Sequence, residues 1–338
     1  MDPLSAGLIG WCALFAAIGA AGTWMARAYA LQRQLVDQPG ERRSHRVATP
    51  RGGGIAIALA FLIALVAMIL REPREIVLLA CAGFGLLLVA GIGWMDDHRP
   101  LSPWLRLTVH AVAAGWLGVG FYLSGASGAV AITTFASALV LVNIWNFMDG
   151  IDGLAATQAV LAAAAFVFLT GSLLAIHLGL ALIASTLAFL PFNFPRASIF
   201  LGDVGSGALG FALALMLGMS LDAMPLQAWP LVFLPLSAFL LDAGLTLSMR
   251  MLRGERWWMP HVEHAYQRWA RCTGRHPPVT AGYAVWTLLM CVGMVLLWKR
   301  NPRGMEMVVL VCLAIGCGFW YGLRRYATAD DVNRETGA

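Results

Sequence analysis

The chain has 338 residues, of which 59% are hydrophobic and only 12% carry a charge. A soluble globular domain carries about twice that share of charged residues, so the composition excludes an ordinary soluble protein. The net charge of +5 at pH 7 is spread between apolar runs. Nothing in this charge pattern indicates binding to nucleic acid.

Long uncharged runs predict membrane spans, because a helix needs about 20 mostly apolar residues to cross the bilayer. Two of the nine runs have double length and break at small and polar residues, 124–128 and 170–172. The sequence therefore predicts an all-α polytopic membrane protein with about 11 transmembrane helices in one domain, residues 1–338. The runs are 3–26, 52–70, 76–95, 107–148, 153–195, 204–221, 223–249 (interrupted by Asp242), 276–298 and 307–323.

The basic residues lie in alternate loops, which predicts the orientation of the chain. Of the 23 Lys and Arg residues, 18 fall on one side and 5 on the other. Because short loops rich in Lys and Arg face the cytoplasm, the N-terminus is predicted outside and the C-terminus in the cytoplasm. The cytoplasmic loops are then about 27–52, 96–106, 146–156, 193–206 and 250–276.

The first cytoplasmic loop combines arginines with glycines, and the second begins with two adjacent acids. Arg46 and Arg51 precede glycines 52–54, whose amides are predicted to approach an anion at a helix start. A positively charged membrane anchor explains the same residues equally well. Asp96 and Asp97 are adjacent acids that need a cation or an arginine nearby, and a solvated helix end is the alternative.

The third and fourth loops place acids at the ends of spans. Asn146, Asp149 and Asp152 recur every three residues and are expected to share a face while the chain stays helical. Polar residues at the end of an apolar span tend to be functional. Asp203 follows Gly202 at the start of a span, where a carboxylate either caps the helix or binds a metal that a phosphate also binds.

The fifth loop contains two histidines, His261 and His264, which would face one way on a helix. Its tryptophans and arginines predict a segment that lies on the membrane surface. Asp242 is the only charge inside its span and is expected to have a partner. Structural and functional roles are equally open for Asp242.

Four motifs in this order resemble those of the polyprenyl-phosphate N-acetylhexosamine-1-phosphate transferases. This glycosyltransferase family 4 type includes the phospho-MurNAc-pentapeptide translocase and the enzymes that initiate O-antigen. The matching segments run from Asp37 to Arg268. The motifs are Asp96-Asp97, Asn146-x-x-Asp149-Gly-x-Asp152-Gly-Leu-Ala, Phe200-Leu-Gly-Asp203-x-Gly-Ser and the loop with His261 and His264.

The resemblance implies an activity, a cofactor and roles for individual residues. Members of the family transfer an N-acetylamino-sugar 1-phosphate from a UDP-sugar to undecaprenyl phosphate and release UMP, with Mg²⁺ or alternatively Mn²⁺. The implied catalytic residues are Asp96, Asp97, Asp149, Asp152, His261 and His264. The implied substrate-binding residues are Arg46, Arg51, Arg106, Asn146, Asn193, Phe200 and Arg268. The implied metal ligands are Asp203, Asp149 and Asp97.

Departures from the family pattern narrow this interpretation. Pro100 stands where a third acid is common, and Arg46 and Arg106 stand where lysine is common, which keeps the charge. The shortened histidine motif resembles the O-antigen-initiating branch and argues against the peptidoglycan translocase. The resemblance thus implies a multi-pass enzyme of the bacterial inner membrane that starts O-antigen or another surface polysaccharide. Its partners are the lipid phosphate, the UDP-sugar and the bilayer, and a homodimer is left open.

A transporter or flippase of anionic or lipid-linked solutes is the alternative of another class. Transporters place polar groups near the bilayer midplane and often contain inverted repeats. Here the polar residues lie at the predicted cytoplasmic ends, and the sequence shows no repeat. A purely structural partner in polysaccharide assembly would not need five polar loops.

Overall fold

The computed structural model describes residues 3–38, 48–256, 258–259, 261–300 and 305–336, and this part of the chain is almost entirely helical. Two 3₁₀ segments lead into helices, Pro73–Glu75 into α3 and Leu226–Leu236 into α9. The α-helices are α1 Pro3–Gln32, α2 Ile55–Arg71, α3 Ile76–His98, α4 Pro103–Leu123, α5 Gly128–Met148, α6 Leu154–Thr170, α7 Leu173–Asn193, α8 Gly202–Asp222, α9 Ser237–Leu252, α10 Ala265–Thr273, α11 Pro277–Arg300 and α12 Met305–Thr336. The strands are β1 Val36–Asp37 and β2 Thr49–Pro50, which pair antiparallel.

Eight helical segments of the described chain are long and apolar enough to cross a membrane. One of them is continuous from Leu226 to Leu252 and includes α9. The 17-residue helices α2 and α6 are apolar but shorter, and the 21-residue α4 is not among the eight. The prediction of an all-α polytopic membrane protein is confirmed, while the count of about 11 spans and the orientation stay predictions.

Both predicted breaks inside the double-length runs are confirmed, because α5 and α7 begin directly after them. Ser127 Oγ accepts a hydrogen bond from the Val130 N–H at 3.2 Å, and Ser172 Oγ accepts one from the Ala175 N–H at 3.1 Å. A side-chain acceptor at this position satisfies an amide that has no partner within the first helical turn. Each serine therefore fixes where its helix starts.

The central helix is α8, whose apolar stretch is completely buried and which packs against α3, α5 and α6. Glycines allow its neighbours to come close. A Cβ on Gly210 would lie 2.5 Å from the Leu141 carbonyl oxygen of α5, and a Cβ on Gly93 of α3 would lie 2.6 Å from the Asp203 carbonyl oxygen. Close backbone packing through small residues is how helices associate in lipid. It brings the polar ends of α3 and α5 to the start of α8.

Backbone hydrogen bonds hold the loop that precedes α8. The Phe200 N–H donates to the Pro50 carbonyl oxygen at 2.8 Å, and the Gly53 N–H donates to the Phe200 carbonyl oxygen at 2.9 Å. The Gly54 N–H donates to the Leu201 carbonyl oxygen at 2.8 Å. The expectation that these glycine amides approach an anion is therefore wrong for Gly53 and Gly54, because both amides already hold this loop.

Candidate active site

Asp97 joins the end of α3 to the start of α8. The residue is only 3% exposed, and its carboxylate accepts hydrogen bonds from the backbone amides of Asp203 at 3.1 Å and Val204 at 3.2 Å. Gly202, at φ +76°, makes room, because a Cβ there would lie 2.6 Å from Asp97 Oδ2. Arg51 lies alongside, with Nε 3.9 Å from Oδ1 and a hydrogen bond from Nη2 to the Asp97 carbonyl oxygen.

The N-terminus of α8 is thus capped by a carboxylate from another helix. Leu201 occupies the N-cap position of α8, whereas Asp203 lies in the first turn with its side chain on Arg106, so the structure does not favour the alternative that Asp203 caps the helix. Negative charge at a helix N-terminus is stabilising because the first amides point outward without partners. Asp97 supplies that charge, and the Asp203 side chain remains available for other contacts.

Arg106 connects two carboxylates that come from different helices. Its Nη1 donates to Asp96 Oδ2 at 2.7 Å and to Asp203 Oδ2 at 2.6 Å. Asp96 is held further by the Leu101 N–H, which donates to Oδ1 at 2.6 Å. The expected basic partner of the adjacent acids is therefore confirmed. One guanidinium nitrogen ties together the ends of α3, α4 and α8.

The Asn146 motif crosses the end of α5. Asn146 is helical and donates from Nδ2 to Ser206 Oγ of α8 at 3.3 Å, whereas Asp149 is the C-cap residue and Asp152 lies beyond the helix. The three residues would share a face only while the chain stayed helical, and α5 ends at Met148, so only Asn146 lies on the helix. Burial, followed by the nearby Asp97 and Asp152 carboxylates, raises the pKa of Asp149 to about 8. Burial is the main cause of this pKa shift, and a cation beside the three carboxylates would relieve the part that comes from their like charges.

His276 belongs to this region, although the sequence does not single it out. Its Nδ1 lies 3.1 Å from Asp152 Oδ2, and Thr280 Oγ1 donates to the Asp152 carbonyl oxygen at 2.8 Å. His276 directly precedes α11 and Thr280 lies in its first turn, and His276 is 124 positions from Asp152. The only signal available in the sequence was an additional histidine at the end of the fifth loop.

Asn193 connects two loops through hydrogen bonds to their backbone. It is 4% exposed. Its Oδ1 accepts from the Gly153 N–H at 2.9 Å, and its Nδ2 donates to the Ile199 carbonyl oxygen at 3.0 Å. Both polar groups of the side chain are engaged by backbone, so the geometry assigns Asn193 to loop support. Its substrate-binding role stays a prediction.

The histidine loop lies beside the end of α5. The rings of His261 and His264 are 4.8 Å apart although α10 begins only at Ala265, so the loop and not helical spacing brings them together. The His264 ring is stacked 6.4 Å from Phe147. Burial, followed by the charges of His264 and Arg250, lowers the pKa of His261 to about 4. His261 is therefore neutral at pH 7 and is able to accept a hydrogen bond.

The remaining predicted binding residues have separate positions. Phe200 is half-buried in the loop that the backbone hydrogen bonds hold. Arg268 Nη2 lies 3.9 Å from Glu263 Oε2, next to the histidines. Arg46 lies outside the residues that the structure describes.

The donor atoms of the site fit a hard divalent cation. Asp97, Asp149 and Asp203 offer carboxylate oxygens, which Mg²⁺ prefers. Within the described ranges, however, no three Asp, Glu, His or Cys side chains form a ready-made metal site. Arg106 holds Asp203 Oδ2 instead, so the guanidinium would compete with a cation for that oxygen. The predicted Mg²⁺ stays a prediction.

Fold and site together define a class of protein. It is a polytopic helical membrane protein that gathers carboxylates and arginines where three helices end. Guanidinium groups bind phosphate through charge-assisted hydrogen bonds, and clustered carboxylates bind hard cations. This combination suits phosphate-bearing substrates.

Comparisons with known proteins support the resemblance that the motifs indicate. The family model described as glycosyl transferase family 4 matches residues 78–220, the stretch from α3 to α8. The chain is 28% identical over 327 residues to the decaprenyl-phosphate N-acetylglucosaminephosphotransferase of Mycobacterium leprae, which covers 83% of this chain and 81% of that protein.

Two further relatives match more than half of the chain. The chain is 30% identical over 203 residues to the probable undecaprenyl-phosphate N-acetylglucosaminyl 1-phosphate transferase of Bacillus subtilis, covering 55% of this chain and 56% of that protein. It is 31% identical over 189 residues to the undecaprenyl-phosphate alpha-N-acetylglucosaminyl 1-phosphate transferase of Thermotoga maritima, covering 55% and 57%. The chain is similar to glycosyl transferase family 4 and to these transferases, which confirms the family resemblance. Because the named relatives are transferases, the similarity supports an enzyme.

Proposed function

We propose that this enzyme transfers an N-acetylamino-sugar 1-phosphate from a UDP-sugar to undecaprenyl or another polyprenyl phosphate and releases UMP. The product would start O-antigen or another cell-surface polysaccharide. The observation that supports this most is the pair of carboxylates, Asp96 and Asp203, that share Arg106 beside the Asp97-capped start of α8. The names of the three relatives, one with decaprenyl phosphate and two with undecaprenyl phosphate, support a polyprenyl phosphate acceptor.

In the proposed reaction, an oxygen of the lipid phosphate attacks the phosphorus that carries the sugar. The bond from that phosphorus to the bridging oxygen of the diphosphate breaks, and this oxygen leaves with UMP. Both reactants are anionic and repel each other, so positive groups aimed at the reacting phosphates lower the barrier. Arg51 and Arg106 are the guanidinium groups nearest to the acids of the site.

The carboxylates of the site divide into two groups. Mg²⁺ held by Asp97, Asp149 and Asp203 would neutralise the diphosphate and the departing UMP. Asp96 would either activate the lipid phosphate or form a covalent phospho-enzyme, and both routes stay open. Neutral His261, whose ring lies 4.8 Å from that of His264, would contact a substrate phosphate.

A direct assay tests the proposal. Purified protein would be incubated with undecaprenyl phosphate and a panel of UDP-N-acetylamino sugars, with UMP release and lipid-linked sugar both measured. We expect both products with one or more sugars in Mg²⁺ or Mn²⁺, and neither in EDTA. Full activity in EDTA would contradict the metal requirement. Movement of a lipid-linked or anionic solute across vesicles without UMP release would favour a transporter.

Phe200→Ala is expected to weaken UDP-sugar use far more than lipid use. Phe200 is held by backbone at the start of α8 with its ring half-buried. Stacking of a base on an aromatic ring contributes about 1–3 kcal/mol, so KM for the UDP-sugar should rise about 5- to 150-fold. Steady-state kinetics with each substrate varied in turn measure this. An unchanged KM for the UDP-sugar together with a raised KM for the lipid would overturn the stacking role.

Cys272 tests the proposed cytoplasmic orientation. It lies in α10, between the arginine-rich end of α9 and the start of α11, and is partly exposed. A membrane-impermeant maleimide is expected to label Cys272 in inverted inner-membrane vesicles and not in intact cells, because Arg-rich loops face the cytoplasm. Cys272→Ser gives the background from the other thiols. If Cys272 is labelled in intact cells as strongly as in inverted vesicles, the proposed cytoplasmic orientation is wrong.

A further inference from the structure

Asp242 is a charged residue buried in α9, inside a segment apolar enough to span the membrane. Only 2% of it is exposed. Its Oδ1 accepts from the Ala265 N–H at 2.8 Å, and its Oδ2 accepts from the Tyr266 N–H at 3.1 Å. The Tyr283 hydroxyl donates to Oδ2 at 2.6 Å, and Trp320 Nε1 donates to Oδ1 at 3.2 Å. These donors compensate a carboxylate that apolar surroundings would otherwise penalise.

The two amides that Asp242 binds are the first two of α10. This helix has nine residues, Ala265–Thr273. A helix this short is marginal by itself, and its first amides have no partner within the helix. A carboxylate at that end satisfies two of those amides and interacts favourably with the helix dipole. Asp242 therefore holds the N-terminus of α10 from a neighbouring span.

The start of α10 reaches two parts of the active site. His264 is the residue before the helix, and its Nδ1 lies 3.7 Å from Asp242 Oδ1. The Tyr266 hydroxyl donates to the Phe147 carbonyl oxygen at 3.0 Å. Gly150 has no space for a Cβ, because that atom would meet the same hydroxyl. Tyr266 thus packs on the turn that also contains Asp149.

We propose that Asp242 is a positioning residue of the transferase: it holds the start of α10 so that His264 and the Asp149 turn keep their places relative to each other. The inference rests on the proposed function of that site. Asp242 acts through other residues: it holds the α10 amides and lies 3.7 Å from His264 Nδ1, so its effect passes through His264, those amides and Tyr266. A residue with only a general stabilising role would not act through this path.

Hydrogen exchange of the wild-type protein tests the anchor without any reference to activity. The amides of Ala265 and Tyr266 should exchange slowly, although unpaired amides in the first turn of a short helix normally exchange fast. In Asp242→Asn, exchange over residues 265–273 should accelerate. Fast exchange of both amides in the wild type, or unchanged exchange in the variant, would overturn the anchor. If the wild-type protein shows no transferase activity, the proposed function is contradicted, whereas the anchor is tested only by the exchange rates.

Coupled substitutions test the path to the site. Asp242→Asn should lower kcat per folded molecule about 10- to 100-fold, because small misplacements of catalytic groups are costly. In a His264→Ala background, Asp242→Asn should lower kcat less than about threefold, because the histidine that it positions is already lost. Tyr283→Phe is the matched control, since it removes a donor to the same carboxylate and leaves the α10 amides bound. Tyr283→Phe should lower thermal stability clearly and change kcat little.

Two results would contradict the path. The first is that Asp242→Asn lowers kcat by the same factor in the His264→Ala background as in the wild type. The second is that Tyr283→Phe lowers kcat as much as Asp242→Asn does. If Asp242→Asn does not fold, Tyr266→Phe takes its place, since it removes only the hydroxyl bonded to Phe147. It should lower kcat several-fold with α10 exchange unchanged, and normal kcat would overturn the link to the Asp149 turn.

Discussion

Asp203→Asn is expected to lower turnover by about three orders of magnitude while leaving the protein folded. Loss of one ligand charge removes several kcal/mol of charge stabilisation if Asp203 binds the proposed cation, and each 1.36 kcal/mol is about tenfold in rate. The fold should survive because Asp97 caps α8 through the backbone amide of Asp203, which asparagine retains. The asparagine oxygen also keeps an acceptor for Arg106.

The measurement is UMP release per folded molecule, together with thermal stability in detergent. Asp222→Asn is a matched control, because Asp222 is an exposed acid at the opposite end of the same helix. Its turnover and Tm should match those of the wild type. Near-normal turnover of Asp203→Asn, or failure of that variant to fold while Asp222→Asn folds, would mean that Asp203 is not a metal ligand.

The membrane fold was predictable because lipid leaves the backbone few choices. Every amide in a span needs an internal partner, so long uncharged runs have to be helical. Serines such as Ser127 and Ser172 then mark the helix starts inside the double-length runs. The sequence did not predict helix α10 or the β1–β2 pair. Both are short polar segments whose order comes from contacts with distant residues such as Asp242 and Phe200.

The residue types of the site were predictable, and their connections were not. Acids at the ends of spans are expensive and stand out in an apolar sequence. The sequence does not show that Asp97 caps a helix 106 positions downstream, or that Asp152 meets His276. The three-residue spacing from Asn146 did not predict the end of the helix. Because α5 ends before Asp149, the three residues do not form one face.

Arg106→Gln is expected to lower turnover about 100-fold or more and to reduce thermal stability, whereas Arg106→Lys should retain much of both. The glutamine removes the positive charge between Asp96 and Asp203, and the two carboxylates then repel each other. These side chains are about one-eighth to one-third exposed, so the stability loss should be about 1–3 kcal/mol, below that of a fully buried pair. Lysine keeps the charge and loses the planar geometry.

Kinetics in a Mg²⁺ titration separate the two roles that Arg106 can have. If the guanidinium competes with a cation for Asp203, Arg106→Gln should lower the half-saturating Mg²⁺ concentration several-fold even as kcat falls, because the cation becomes the main positive charge facing both acids. Arg99→Gln, an exposed arginine in the same loop, is the control and should change neither quantity. A raised half-saturating concentration would show that Arg106 assists the cation. Unchanged kcat would show that the link between α3, α4 and α8 has no part in the reaction.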